Sequence, residues 1–262
     1  MLPKQTFLLV ILLLVFINCG KSTDTARLEL AQMNIQYSEK AFIDSVKQGN
    51  AVAVGLFINA GMDTEVKVSE GQTPLMLATL SNHPDTVKVL LAKGADVNAK
   101  DKYQGTALMT AAWKDYQEIV QALLNEGADI NAQANNGMTP LMFAVWENNH
   151  EVAKLLIKKG ADINTKDQLG WTALMRAAFR NHTDSLRILL EKGADANVRT
   201  IDGETALICA VQQGQLDTVK ILLTHGVEVN HRTKAGKTAL MYAEENGYSD
   251  IVQLLHAAGA RQ

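Results

Sequence analysis

Every 33 residues this chain returns to a Thr, then Pro or Ala, then Leu: Thr73-Pro74-Leu75, Thr106-Ala107-Leu108, Thr139-Pro140-Leu141, Thr172-Ala173-Leu174, Thr205-Ala206-Leu207 and Thr238-Ala239-Leu240. A second mark keeps the same spacing, in Gly61, Gly94, Gly127, Gly160, Gly193, Gly226 and Gly259. Two markers that hold phase over this many copies leave room for only one kind of architecture. Each copy must be one small supersecondary unit that buries its apolar face against the next.

The residues between the markers say what that unit is. Thr at a helix start caps free backbone N–H groups with its hydroxyl. Pro74 and Pro140 follow at the first helical position, where a missing N–H costs nothing. Five residues past each Thr stands Ala78, Ala111, Ala144, Ala177, Ala210 or Ala243, small enough to let helices approach closely. Three past it stands Met76, Met109, Met142, Met175, Ile208 or Met241, a core stripe of adaptable side chains. A second apolar group follows in each copy, such as Val120/Leu123/Leu124 and Leu186/Leu189/Leu190, spaced as the buried side of a helix. The periodic Gly then ends that helix in a left-handed turn. Asp96, Asp129, Asp162 and Asp195, with Asn98, Asn131, Asn164, Asn197 and Asn230, supply turn chemistry. A last Gly two residues before Thr (Gly71, Gly137, Gly170, Gly203, Gly236) supports a β-turn finger.

At these residues the chain resembles the ankyrin-repeat family, over about residues 37–262. The resemblance implies an all-α solenoid of about seven 33-residue units, each a helix pair with a β-turn finger. The degenerate first unit, 37–69, and the last, 236–262, are expected to act as polar caps. Two departures stand out. Met or Ile replaces the family's usual His after Thr-Pro-Leu, so the hydrogen bond that His makes is expected to be missing. The third finger reads Tyr103-Gln104-Gly105-Thr106, with its Gly one place late, and is expected to take a different shape.

Ahead of the repeats, Lys4 precedes 11 apolar residues from Phe7 to Ile17, then Asn18, Cys19 and Gly20. That run is short of the roughly 20 residues of a bilayer span but suits an export signal. The Cys directly after it resembles the lipobox of bacterial lipoproteins, although Phe16, Ile17 and Asn18 depart from its commoner residues. The resemblance implies a signal peptide over 1–18, a lipid on Cys19, a tether over 19–36 and a place in the bacterial cell envelope, facing the periplasm. Gly20 rather than Asp after the Cys points to the outer membrane. Cys209, the only other cysteine, is read as a small buried hydrophobe, so no disulfide framework is expected.

The familiar signatures of chemistry are missing. None of the six His residues pairs with another at helical spacing, and there is no Cys-x-x-Cys, so no metal site is expected. No phosphate-binding Gly loop or Gly-x-Ser-x-Gly occurs, and a net charge of −3 with scattered Lys and Arg does not suit nucleic acid. Neither a cofactor nor a small-molecule substrate is implied. The chain is therefore read as a non-catalytic scaffold that holds another protein. The alternative, a periplasmic protective or immunity-type factor that neutralises a toxin or supports a stress enzyme, would also work by binding; an enzyme or metal protein assembled only in three dimensions is the remaining rival.

One column of the repeat carries the functional signal. The family binds partners through its fingers and the exposed side of each first helix, which together form a concave face. Seven and eight residues past Thr the chain reads Leu80-Ser81, Trp113-Lys114, Trp146-Glu147, Phe179-Arg180, Gln212-Gln213 and Glu245-Asn246. Aromatic rings thus occupy three consecutive middle repeats. Just before Thr, Met138 and Trp171 add to them, and the third finger adds Tyr103. Trp and Tyr are the side chains that most often carry interface energy, so these nine residues from Tyr103 to Arg180 are the expected contact surface.

Overall fold

The computed structural model describes residues 22–261, so the export signal and the lipobox Cys19 lie outside the described residues. The described residues divide into two compact units, 22–102 and 103–261. In the first, α1 covers residues 22–32, followed by the pairs α2 (Glu39–Lys47) with α3 (Ala51–Asn59) and α4 (Pro74–Leu80) with α5 (Pro84–Ala92). The second holds five pairs: α6 (Ala107–Trp113) with α7 (Gln117–Asn125), α8 (Pro140–Trp146) with α9 (His150–Lys158), α10 (Ala173–Arg180) with α11 (Thr183–Glu191), α12 (Ala206–Gln212) with α13 (Leu216–Leu223), and α14 (Ala239–Glu245) with α15 (Ser249–Ala257). Within the second unit, first helices pack on first helices (α6, α8, α10, α12, α14) and second helices on second helices. No strand is found among the described residues.

The local reasons read from the repeat hold in each copy. In all six repeats the Thr hydroxyl accepts the backbone N–H three residues on, from Met76, Met109, Met142, Met175, Ile208 and Met241. The Ala column is fully buried, and so is the Met stripe as far as Ile208, with Met241 half-buried in the last repeat. Cys209 is buried too, and burial pushes its thiol well above the usual thiol range. Gly94 shows how a second helix stops. With φ 86°, it directs its N–H to the Leu91 carbonyl while Ala95 N–H reaches back to Leu90.

Asp and Asn, read together as turn formers, divide the work. Each Asp closes its own turn, as where Asp162 Oδ1 accepts the Asn164 N–H at 2.9 Å. The Asn residues reach the next repeat within the second unit: Asn131, Asn164, Asn197 and Asn230 accept the backbone N–H of Asp162, Asp195, Glu228 and Arg261 at 2.7–2.9 Å. A second set of ties comes from ten residues past Thr. Asn149 donates to the carbonyls of Ala112 and Trp113, and the His182 Nδ1–H to that of Val145. These bonds hold the first-helix ends of adjacent repeats, so the stack is laced by polar contacts although its Thr-Pro-Leu motifs lack His.

The tether gains detail, and one expectation changes. Residues 22–32 of the segment read as a tether form a helix that buries Ala26 and Leu30, and Arg27 lies over the Tyr37 ring. Apolar residues four apart on one helical side have been put to use in packing, which shortens any free linker. The third finger also keeps the common form. Gln104 takes the left-handed conformation (φ 59°) that Gly137, Gly170, Gly203 and Gly236 take elsewhere. The ladder of one backbone bond between neighbouring fingers continues through it, from Asn135 N–H to the Tyr103 carbonyl at 2.9 Å.

Candidate partner-binding face

The aromatic column lies wholly within the second unit, on α6, α8 and α10 and the fingers before them. Trp113 ends α6 and is 43% exposed, while Tyr103 at its finger is 56% exposed. Trp146, Trp171 and Phe179 are half-buried. Met138 is buried, because its side chain is drawn into the stack, and it offers the surface little. Lys114, Glu147 and Arg180 are exposed.

The half-burial has an identifiable cause. The Trp171 and Phe179 rings meet edge to face, with centroids 5.6 Å apart, an arrangement that aromatic quadrupoles favour. The Arg180 guanidinium lies 4.3 Å above the Trp146 ring. That of Arg176 stands 5.3 Å from Trp146 and 6.0 Å from Trp171, between the two. Cations over ring faces are held by the negative charge of the π cloud. Lys114 does the same on Trp113, at 4.1 Å.

Arg176 is fixed from below by Asp167, whose side chain is only 2% exposed. Asp167 Oδ2 accepts from Arg176 Nη2, and Oδ1 accepts the backbone N–H groups of Leu169 and Trp171, each at 2.8 Å. One carboxylate therefore shapes the finger, sets Trp171 and orients the guanidinium. Neither Asp167 nor Arg176 follows from the repeat pattern, since Thr200 and Cys209 occupy the same two places in the next repeat. The visible signal was a lone charge in a column that otherwise reads Leu77, Thr110, Phe143, Cys209 and Tyr242.

Two pockets open along this face. The first, about 300 Å³, is lined by Tyr103, Gly105, Met109, Thr110, Trp113 and Phe143 with residues 134–136 of the next finger. The second, about 210 Å³, is lined by Trp146, Leu169, Trp171, Arg176 and Phe179. Beyond them the same places close with polar partners. The Gln212 amide donates to Glu204 at 2.8 Å, and Lys237 pairs with Glu245 at 2.6 Å. The carboxylate of Glu245 holds the Lys237 ammonium in its charged form, raising its pKa. Seven residues past Thr, the aromatic column thus ends at Phe179.

Among the described residues no group of three His, Cys, Asp or Glu side chains could hold a metal ion, and no helix is long and apolar enough to cross a membrane. A family profile described as ankyrin repeats, in three copies, matches residues 10–101, 42–134, 108–200 and 174–262. No curated protein matches the chain.

Proposed function

This chain belongs to the ankyrin-repeat family, and from that premise we propose that it is a non-catalytic scaffold of the bacterial cell envelope, carried on a lipid at Cys19, that holds a protein partner on the aromatic side of repeats three to five. The observation that supports this reading is the contrast along one column. Trp113, Trp146 and Phe179 stand beside two apolar pockets, where the following repeats place Gln212 and Glu245 in closed polar pairs. A chain that needed only packing would close each repeat alike. A contiguous apolar patch rimmed by Lys114, Glu147 and Arg180 is the form an interaction surface takes.

The partner is expected to be a protein and not a nucleic acid, since a net charge of −3 supplies no phosphate-tracking stripe. The export and anchoring part rests on the apolar run before Cys19 alone.

Replacing Trp113, Trp146 and Phe179 together with Ala is expected to leave the helical circular dichroism in place. Capture of the partner from envelope extracts is expected to fall by 30-fold or more, because one hot-spot ring is worth about 2 kcal/mol. Unchanged capture would place the binding surface elsewhere. In the same preparations, radiolabelled palmitate entering the wild type but not Cys19→Ser would support the anchor; equal labelling would remove it.

A further inference from the structure

Just before Thr, the second unit carries Gly105, Met138, Trp171, Glu204 and Lys237 in successive repeats. Trp171, Glu204 and Lys237 each meet the side chain seven past Thr in their own repeat, respectively Phe179, Gln212 and Glu245. At Gly105 there is no side chain to do this. Trp113, which would receive it, is left 43% exposed, and the 300 Å³ pocket opens between them. Nor does the backbone require this glycine. The left-handed place in the finger is taken by Gln104, and Gly105 is not among the residues with positive φ. What Gly105 contributes is room.

We propose that the Gly105 pocket is the anchor subsite of this face, taking one large apolar side chain from an extended partner segment that carries an Asp or Glu beside it. This rests on the reading of the face as protein-binding and adds the chemistry of what it holds. The volume lies at the lower limit of ligand pockets, which suits a single side chain rather than a free metabolite. Its lining is mostly apolar, with Tyr103, Met109, Trp113 and Phe143 as the large side chains. The charge at its edge is positive. Lys114 holds its ammonium over Trp113, and no carboxylate pairs with it among the described residues. Arg180 repeats the arrangement over Trp146, beside the second pocket. Glu147 stands between the two cations in the same column, so the acidic group is placed against Lys114 at the pocket's own edge. An acidic group there steers the segment and fixes its register.

The test is selection of random linear peptides displayed on phage against the purified full chain. Enriched peptides are expected to share a large apolar residue next to Asp or Glu. Each should bind at least tenfold more weakly to Gly105→Trp, which installs the ring that Trp171 sets against Phe179 two repeats on, and to Lys114→Glu. Gly105→Trp should keep the wild-type circular dichroism. Should it fail to fold, Thr110→Phe fills the pocket from α6 with the ring that Phe143 provides one repeat later, and the same loss is expected. No enrichment, enrichment of basic residues beside the apolar one, or equal binding to the pocket-filling variant would overturn the proposal. If the triple Ala variant loses these peptides while Gly105→Trp keeps them, the face stands and the anchor subsite falls. If neither variant loses them, both fall.

Discussion

Asp167→Ala is expected to destabilise the repeats that carry the aromatic face by about 3–5 kcal/mol, the usual cost of stranding one member of a buried ion pair. The carboxylate is 2% exposed and its partner guanidinium 12%, so water does little to replace what is lost. Two backbone N–H groups, of Leu169 and Trp171, lose their acceptor at the same time. Asp167→Asn should fall between, keeping an oxygen for those N–H groups but not the charge. The next repeat shows the remedy. There Thr200 Oγ1 accepts the N–H groups of Asp202 and Glu204, and uncharged Cys209 stands where Arg176 would be. Asp167→Thr combined with Arg176→Cys is therefore expected to recover most of the stability. All three Trp residues lie in repeats three to five, so their fluorescence in a urea titration reads the region concerned. A loss under about 1 kcal/mol for Asp167→Ala would mean that the pair is solvated and does not organise the site.

The second large effect is expected at Gly137, compared with Gly160. Both have positive φ, at 81° and 98°, so alanine at either is disfavoured by about 1–2 kcal/mol for the backbone alone. Around Gly160 nothing lies within 4 Å of an added Cβ. At Gly137 that atom would sit 2.6 Å from the Gln168 nitrogen and 2.9 Å from the Asp167 Cα. These are backbone atoms of the next finger and cannot swing aside. Gly137→Ala is expected to cost about 1–3 kcal/mol more than Gly160→Ala, the range for overpacking. The difference between the two urea titrations measures how closely the fingers must approach. Equal losses would show that they part freely.

What the sequence disclosed follows from repetition. Thr caps, the Ala column, terminal glycines and the Met stripe recur because each repeat solves the same local problem, so one physical reason explains every copy. The aromatic run was visible as a break in one column. Pairings that belong to a single repeat were not visible, even where one member stood out in its column. The Asp167–Arg176 pair is nine residues apart across a finger and a helix start, and no periodic rule relates those positions. Met138 shares its place with Trp171 yet is buried, since a flexible thioether can turn into the stack where an indole cannot. The late glycine of the third finger pointed to an altered shape. Instead Gln104 adopted the left-handed turn, because the bond from Asn135 to Tyr103 holds the finger to its neighbour. The Asn residues were assigned to turns because only their local partners can be judged from nearby sequence; their acceptor role spans 31 residues.

That span has a consequence for how such a chain can change over generations. Each tie from Asn131, Asn164, Asn197 or Asn230 joins equivalent places in neighbouring copies. An insertion of a few residues between them breaks the register of one tie, whereas duplication or deletion of a whole 33-residue copy leaves every remaining tie as it was. Growth is thus quantised. The aromatic face can be lengthened, shortened or moved among the repeats by one copy at a time, without renegotiating the interior. Point substitutions in the column beside Thr are then left to choose what is held.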